Sequence, residues 1–198
     1  MTRTVITAVP SMRLEYTAYL RRLLPHAEWV FDQKQDSFDT FLRAMALPGD
    51  APCVHLEDDV ILTTGFIGLV EAAIAARPGE VQQFFSMRGD DKTIGSRWDN
   101  NFIATLAWYV PAGWAPRLIA YYPEWLADWK LRDAAKPQNP PTWLVGYDIF
   151  VRDFLKRQKQ RYWIVCPNLV NHRIGKSAID PRRSSTTRVS KTFRNPEL

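Results

Sequence analysis

Three times within the first 87 residues, a short β-branched or apolar run is followed by a stretch with helical spacing. "RTVITAV" (3–9) precedes "SMRLEYTAYLRRLL" (11–24), where Ser11 is placed to cap a helix. "AEWVF" (27–31) precedes "DSFDTFLRAMAL" (36–47), opened by Asp36 or Ser37. "PCVHLE" (52–57) precedes "TGFIGLVEAAIAAR" (64–77), capped by Thr63 or Thr64, and "VQQFFSM" (81–87) reads as a fourth strand. Strands and helices alternating at these lengths predict an α/β fold, with a mostly parallel sheet and helices on both faces. Hydrophobic residues make up 46% of the 198, enough for the core of one domain.

The second half is less regular. "RGDDKTIGSRWDNN" (88–101) is polar and reads as a mobile loop, and "FIATLAWYVP" (102–111) as a strand. "AGWAPRLIAYYPEWLADWK" has helical spacing interrupted by Pro116 and Pro123. A proline-rich loop (133–143), an amphipathic helix "GYDIFVRDFLKRQ" (146–158) and a strand "RYWIVC" (161–166) follow. Cys53 and Cys166 lie in apolar runs without metal-ligand spacing and are expected as reduced, buried thiols.

The chemistry concentrates at a few points. Glu57, Asp58 and Asp59 follow one another where the third strand ends. Adjacent carboxylates repel, and near a core they are costly unless paired or bound to a cation. In α/β sheets ligands bind beyond the carboxyl ends of the strands, which is where this triplet falls. Such carboxylates can hold Mg²⁺ or Mn²⁺, with substrate phosphates completing the shell. The competing explanation is that one acid caps the next helix and the others face water. "VCPNLVNHRIGKS" (165–177) adds His172, a residue type that ligates divalent cations, beside Arg173, Lys176 and Ser177, which suit a diphosphate. In "LVGYDIFV", Asp148 opens a helix, where it serves either the helix dipole or as a general base.

"HLEDDVILTTGF" resembles the acidic metal-binding signature of GT-A glycosyltransferases. Its Glu-Asp-Asp form is similar to that of the lipopolysaccharide glycosyltransferase family. "PNLVNHRIGKSAI" resembles a C-terminal segment of small bacterial and phage-encoded members of that fold, and the order of motifs matches over most of the chain. The resemblance implies a single GT-A-like (Rossmann-like) domain over 1–198. It would comprise a nucleotide-binding half (1–87), a minimal acceptor half (88–172) and a basic C-terminal arm (173–198). It implies a metal-dependent enzyme that moves a sugar from a nucleotide-sugar donor, here taken as a UDP-sugar, to an acceptor hydroxyl. By position, Asp59 and His172 would be metal ligands for Mn²⁺ or Mg²⁺, and Glu57 or Asp58 would contact the ribose or donor sugar. Asp148 would be the candidate catalytic base; if it takes the acceptor proton, the attack is in line and inverts the anomeric centre, so inverting and retaining courses both stay open. Pro10, Ser11 and Arg13 would hold the nucleotide base, and Arg173, Lys176 and Ser177 the diphosphate. Glu57 stands where the common signature has Asp, which departs from the pattern.

The net charge of +5 lies in the tail: residues 173–198 hold seven Lys/Arg against two Asp/Glu. A cationic arm on a balanced body is either a solvated tail or a contact for an anionic partner. Two acceptors fit. One is a 5-hydroxymethylpyrimidine in double-stranded phage DNA, with aromatics such as Trp98 stacking on bases. The other is a lipid-linked oligosaccharide or lipopolysaccharide, with the arm on anionic membrane. Outside this class stand a metal-dependent nuclease using the same acids and a non-enzymatic nucleic-acid binder. Receiver-type phosphotransfer is disfavoured, because "ITAVPS" after the first strand holds no acid. No segment approaches the roughly 18 apolar residues of a membrane span, so a cytoplasmic protein is expected, in the host cytoplasm if phage-encoded.

Overall fold

The computed structural model describes residues 2–9, 13–135, 146–175 and 188–194. Pro10, Ser11, Lys176 and Ser177 lie outside the described residues, as does most of the proline-rich loop.

The expected alternation is present: β1 (Arg3–Ala8), α1 (Leu14–Leu23), β2 (Glu28–Phe31), α2 (Ser37–Ala46) and β3 (Cys53–Glu57). β1 pairs in parallel with β2 on one side and with β3 on the other. After β3, Asp58 and Asp59 form a tight turn into β4 (Val60–Leu62), which leads to α3 (Phe66–Ala76) and β5 (Gln82–Gln83). α4 (Asp91–Ile94), β6 (Arg97–Asp99), β7 (Ala107–Val110), α5 (Trp114–Ala135), α6 (Tyr147–Arg157), β8 (Tyr162–Ile164) and β9 (Val170–His172) complete the order.

Seven strands form one sheet in the order β2-β1-β3-β7-β5-β8-β6. β2, β1, β3, β5 and β8 run one way, so the sheet is mostly parallel as expected; it is mixed in that β7 runs antiparallel to β3 and β5, and β6 antiparallel to β8. Strand side chains alternate between two cores. Val5, Cys53, Trp108 and Val110 face α2, α5 and α6. Ile6, Val54, Leu56 and Tyr109 face α1 and α3. Helices therefore cover both faces, as the alternation requires. No helix among the described residues is long and apolar enough to cross a membrane.

Several local expectations change. The polar 88–101 segment contains α4 and the edge strand β6, held together by Arg97, whose guanidinium lies 2.9 Å from the buried carboxylate of Asp91. α5 runs unbroken through both prolines. Pro116 falls in the first turn, where its missing N–H is an orphan in any helix. Pro123 does remove a bond, and packing of Trp114, Leu118 and Trp125 carries the helix past it. Asp36 caps α2, accepting from the N–H groups of Phe38 and Asp39. Neither Thr63 nor Thr64 caps α3; that position is Gly65, whose φ of +72° favours a residue without Cβ. The motif around His172, for which the sequence shows no strand, contains β9, which pairs antiparallel with β4. Both cysteines are free, Cys53 buried and Cys166 half-buried.

Candidate active site

From β1 the chain goes to β2 on one side, then crosses to β3 on the other. At such a switch point the two connections leave in opposite directions, opening a crevice outside the carboxyl ends of the strands. The acidic triplet sits at this crevice. The Val9 N–H, just past β1, donates to Asp58 Oδ2 at 2.8 Å, which ties the two strand ends together. Arg13, just ahead of α1, places Nη1 2.5 Å from Asp58 Oδ1 and 2.8 Å from Asp59 Oδ2. Burial pushes the Asp58 carboxyl up and Asp59 adds to this, while Arg13 and the Val9 N–H oppose it. Burial works against the charge on Arg13, yet Asp59 and Asp58 hold it above its ordinary value. Arg13 was expected to meet a nucleotide base. Here it bridges the two aspartates, so part of the repulsion within the triplet is offset by the chain's own cation.

The β4–β9 pairing delivers His172 to the same place. Val60 lies opposite His172, and the Arg173 N–H donates to the Asp59 carbonyl at 2.8 Å. His172 Nε2 then stands 3.5 Å from Asp59 Oδ2. On the other side of the ring, Nδ1 is 2.6 Å from the Arg173 carbonyl oxygen. A carbonyl only accepts, so Nδ1 carries the proton. Nε2 either bears a second proton and pairs with Asp59, or points a lone pair toward a carboxylate oxygen. In the latter arrangement a cation between them would be held by both, beside the Arg13 Nη1 that already lies 2.8 Å from the same Oδ2. Asp59 Oδ1 is buried and has no hydrogen-bond partner among the described residues.

Glu57 completes the triplet in a different setting. Thr105 Oγ1 donates to its Oε1 at 2.8 Å, and the Tyr147 hydroxyl is a second partner. Burial and then the Asp59 charge push the Glu57 carboxyl up to about 7, opposed by those two hydroxyls and by Arg188. Tyr147, first in α6, is stacked on Phe41 with ring centres 4.5 Å apart. Its hydroxyl is held well above the ordinary range by burial, then by Glu57, Asp59 and Asp148. Asp148 follows it, half-buried, with Oδ1 accepting from the Ile149 N–H at 3.0 Å. A Cβ at Gly146 would stand only 2.4 Å from that Oδ1, so glycine there leaves room for the carboxylate.

The basic arm returns to this edge. The Ser190 N–H donates to Asn171 Oδ1 at 2.8 Å, and Ser190 Oγ donates to Asn168 Oδ1 at 2.6 Å. The Asn168 N–H donates to Thr192 Oγ1 at 3.0 Å. Residues 188–194 are thus fastened beside β9, with Arg188 within electrostatic reach of Glu57. Arg173 lies over the rings of Tyr16 and Tyr19, 4.6 and 4.5 Å from their centres. Trp98 is far from a bare stacking platform. Arg77 and Arg161 lie over its ring, at 5.3 and 5.4 Å, and Trp163 meets it edge-on.

Thus Arg13, Glu57, Asp58, Asp59 and His172 converge at the end of β3, and Asp148 adjoins Tyr147, whose hydroxyl meets Glu57. Sequence reading missed Thr105, Tyr147 and Arg188. Tyr147 had a signal, since it adjoins Asp148 at a helix start; Thr105 had none.

Among the described residues no group of three or more His, Cys, Asp or Glu side chains is arranged to hold a metal. Asp59 and His172 make a pair. Mg²⁺ and Mn²⁺ commonly take one or two protein ligands, keeping water and substrate phosphates for the rest. The orphaned Asp59 Oδ1 and the His172 tautomer fit such an ion. A ring N–H fixed on a backbone carbonyl is the usual support of a ligating histidine. Compared with known proteins, the sequence matches no family model and no curated protein.

Proposed function

We propose that the chain is a metal-dependent glycosyltransferase that moves a sugar from a nucleotide-sugar donor to an acceptor hydroxyl. One observation carries the reading: Asp59 and His172, remote in sequence, meet 3.5 Å apart at the β1–β3 crevice, with the imidazole proton fixed on the outer nitrogen. The α/β sheet with its switch point at the acids supports a nucleotide in that crevice. The GT-A resemblance of "HLEDDVILTTGF" and "PNLVNHRIGKSAI" supports the class of reaction.

In this reading Asp59 and His172 would hold Mn²⁺ or Mg²⁺, which when bound offsets charge on the leaving diphosphate. Arg173 and Lys176 bind the diphosphate oxygens. Asp58 keeps the strand ends together through Val9 and Arg13, which makes it a positioning residue. Glu57 orients the donor sugar, with its carboxyl held by Thr105 and Tyr147. Asp148, half-buried at the start of α6, takes the proton from the acceptor hydroxyl.

The test is a thermal-shift panel of nucleoside diphosphates with and without Mn²⁺. One diphosphate is expected to stabilise the protein by about 3 kcal/mol at a hundredfold excess over its dissociation constant, only with metal. Asp59→Asn and His172→Ala are expected to remove that shift. Binding of no nucleoside diphosphate overturns the proposal. Cleavage of duplex DNA with Mn²⁺ and no sugar donor replaces it by a nuclease.

A further inference from the structure

One buried side chain of the sheet reaches the acidic crevice through a strained turn. Gln83, the second residue of β5, is fully buried, paired with β7 on one side and β8 on the other. Its Nε2 donates to the Ile103 carbonyl and, at 2.7 Å, to the Ala104 carbonyl. Its Oε1 has no hydrogen-bond partner among the described residues. An unmet acceptor is costly in a core, and only the two bonds from the N–H groups offset it.

The carbonyls that Gln83 holds belong to backbone in an unfavourable conformation. Ala104 is buried with φ of +73°, a region that residues with a Cβ enter at a cost and keep only when their surroundings impose it. Alanine has no polar side chain to stabilise that conformation itself, and the Gln83 amide does so from outside. Thr105 follows, buried, with both ends engaged. Its backbone is hydrogen-bonded to the His55 ring, and its Oγ1 donates to Glu57 Oε1 at 2.8 Å. The next carbonyl, that of Leu106, accepts from the Glu57 N–H at 2.9 Å. The turn thus grips Glu57 by its backbone and by one carboxylate oxygen. Rotating Ala104 back to negative φ would redirect the chain and take the Thr105 hydroxyl off Glu57.

We propose that Gln83 is a positioning residue for donor-sugar selectivity: its amide fixes Ala104 in the left-handed region, and that backbone aims the Thr105 hydroxyl so that Glu57 presents one carboxylate direction to the sugar. The inference rests on the reading of Glu57 as the group that orients the donor sugar, and adds how its direction is set. A carboxylate held in one direction accepts from a sugar hydroxyl of one configuration and leaves the epimer without that bond. A carboxylate free to rotate meets either epimer.

The test is calorimetric titration, with Mn²⁺, of UDP or whichever nucleoside diphosphate the thermal-shift panel selects. Its esters with two epimer pairs are compared: glucose with galactose, and N-acetylglucosamine with N-acetylgalactosamine. Wild type is expected to prefer one epimer by about tenfold. Gln83→Met and Thr105→Val are each expected to bring the preference below about twofold, with the diphosphate itself bound as in wild type. Glycine adopts positive φ without strain, so adding Ala104→Gly to Gln83→Met is expected to restore the preference. A role of Gln83 in core packing alone is not repaired by removing that methyl group. Urea midpoints give a reading without ligand. Gln83→Met is expected to lower the midpoint less in a Thr105→Val chain than in wild type, and Ala104→Gly alone to raise it. No epimer preference in wild type, an unchanged preference in both variants, or a parallel loss of diphosphate and sugar binding overturns the proposal. So does an equal midpoint loss in the two backgrounds, or an Ala104→Gly midpoint no higher than wild type. If no nucleoside diphosphate binds, the glycosyltransferase reading falls instead, and the urea midpoints still decide whether Gln83 acts through Thr105.

Discussion

His55 lies in the middle of β3 with both ring nitrogens engaged. The Trp108 indole N–H donates to Nδ1 at 3.1 Å, so the proton sits on Nε2, 3.3 Å from Thr7 Oγ1. A second proton on Nδ1 would face a donor. Burial pushes this imidazole down to about 4 from an ordinary 6.5. The folded value lies below the unfolded one, so the unfolded chain binds the extra proton first as pH falls. His55 therefore removes stability between pH 6.5 and about 4, by about 2 kcal/mol on going from roughly pH 7 to roughly pH 5. His55→Gln keeps an acceptor for Trp108 and does not titrate. Urea unfolding at the two pH values is expected to show a smaller loss in that variant; an equal loss assigns the slope to other groups. Arg13 gives a second test. Replacing it by Gln leaves Asp58 and Asp59 buried without their shared counter-ion, expected to cost about 3–5 kcal/mol. Mn²⁺ is expected to recover more stability in Arg13→Gln than in wild type, because the ion then meets an uncompensated pair of acids. Equal stabilisation of both would show that Arg13 and the ion do not occupy the same electrostatic niche.

The elements most visible in the sequence are those whose own side chains set them. β1, β2, α2 and β3 show in their β-branched runs, their helical spacing and the capping Asp36, because each signal is local. β6 and β9 were invisible for the converse reason. β6 exists because Arg97–Asp99 pair with β8, and β9 because Val170–His172 pair with β4. Neither pairing has a local signature in a polar or irregular stretch. The site divides the same way. The acids at the end of β3 were legible as a cluster and His172 by its motif, while the partnership of Arg13 with both aspartates depends on where α1 begins. The sense of β7 and β6 was also hidden: both run against the other strands of an otherwise parallel sheet. α5 was misread through Pro123, since propensity ignores the packing that overrides it. Pro123 is exposed, so Pro123→Ala restores a backbone donor without opening a cavity. It is expected to raise stability by about 1–3 kcal/mol and the thermal midpoint with it. An unchanged or lowered midpoint would show that the packing of α5 depends on the proline.

At the scale of the molecule, the sheet joins two unlike parts. β2, β1 and β3 form a parallel unit, and β7, β5, β8 and β6 a mixed one, meeting only where β3 pairs with β7. The sequence invites a division into a nucleotide-binding half and an acceptor half after residue 87, which leaves β5 of the first half on the far side of that seam. The cores argue against independent behaviour. One continuous cluster contains Val5, Val30 and Phe41 from the first part together with Trp108, Leu118, Phe150 and Ile164 from the second. The indole of Trp108 bonds to His55 across the seam, and Glu57 takes its hydroxyl partners from Thr105 and Tyr147. The β4–β9 pair and residues 188–194 bring late chain back to the acids of the first part. A structure with its polar site and its apolar core both shared across the seam is expected to unfold in one cooperative transition. Near-ultraviolet dichroism reports chiefly on the tryptophans of the second part. Amide exchange in β1 and β3 reports on the first. Coincident urea midpoints are expected from the two probes. Two separated transitions would mean that the halves fold independently, and that Asp59 and His172 meet only when both are already formed.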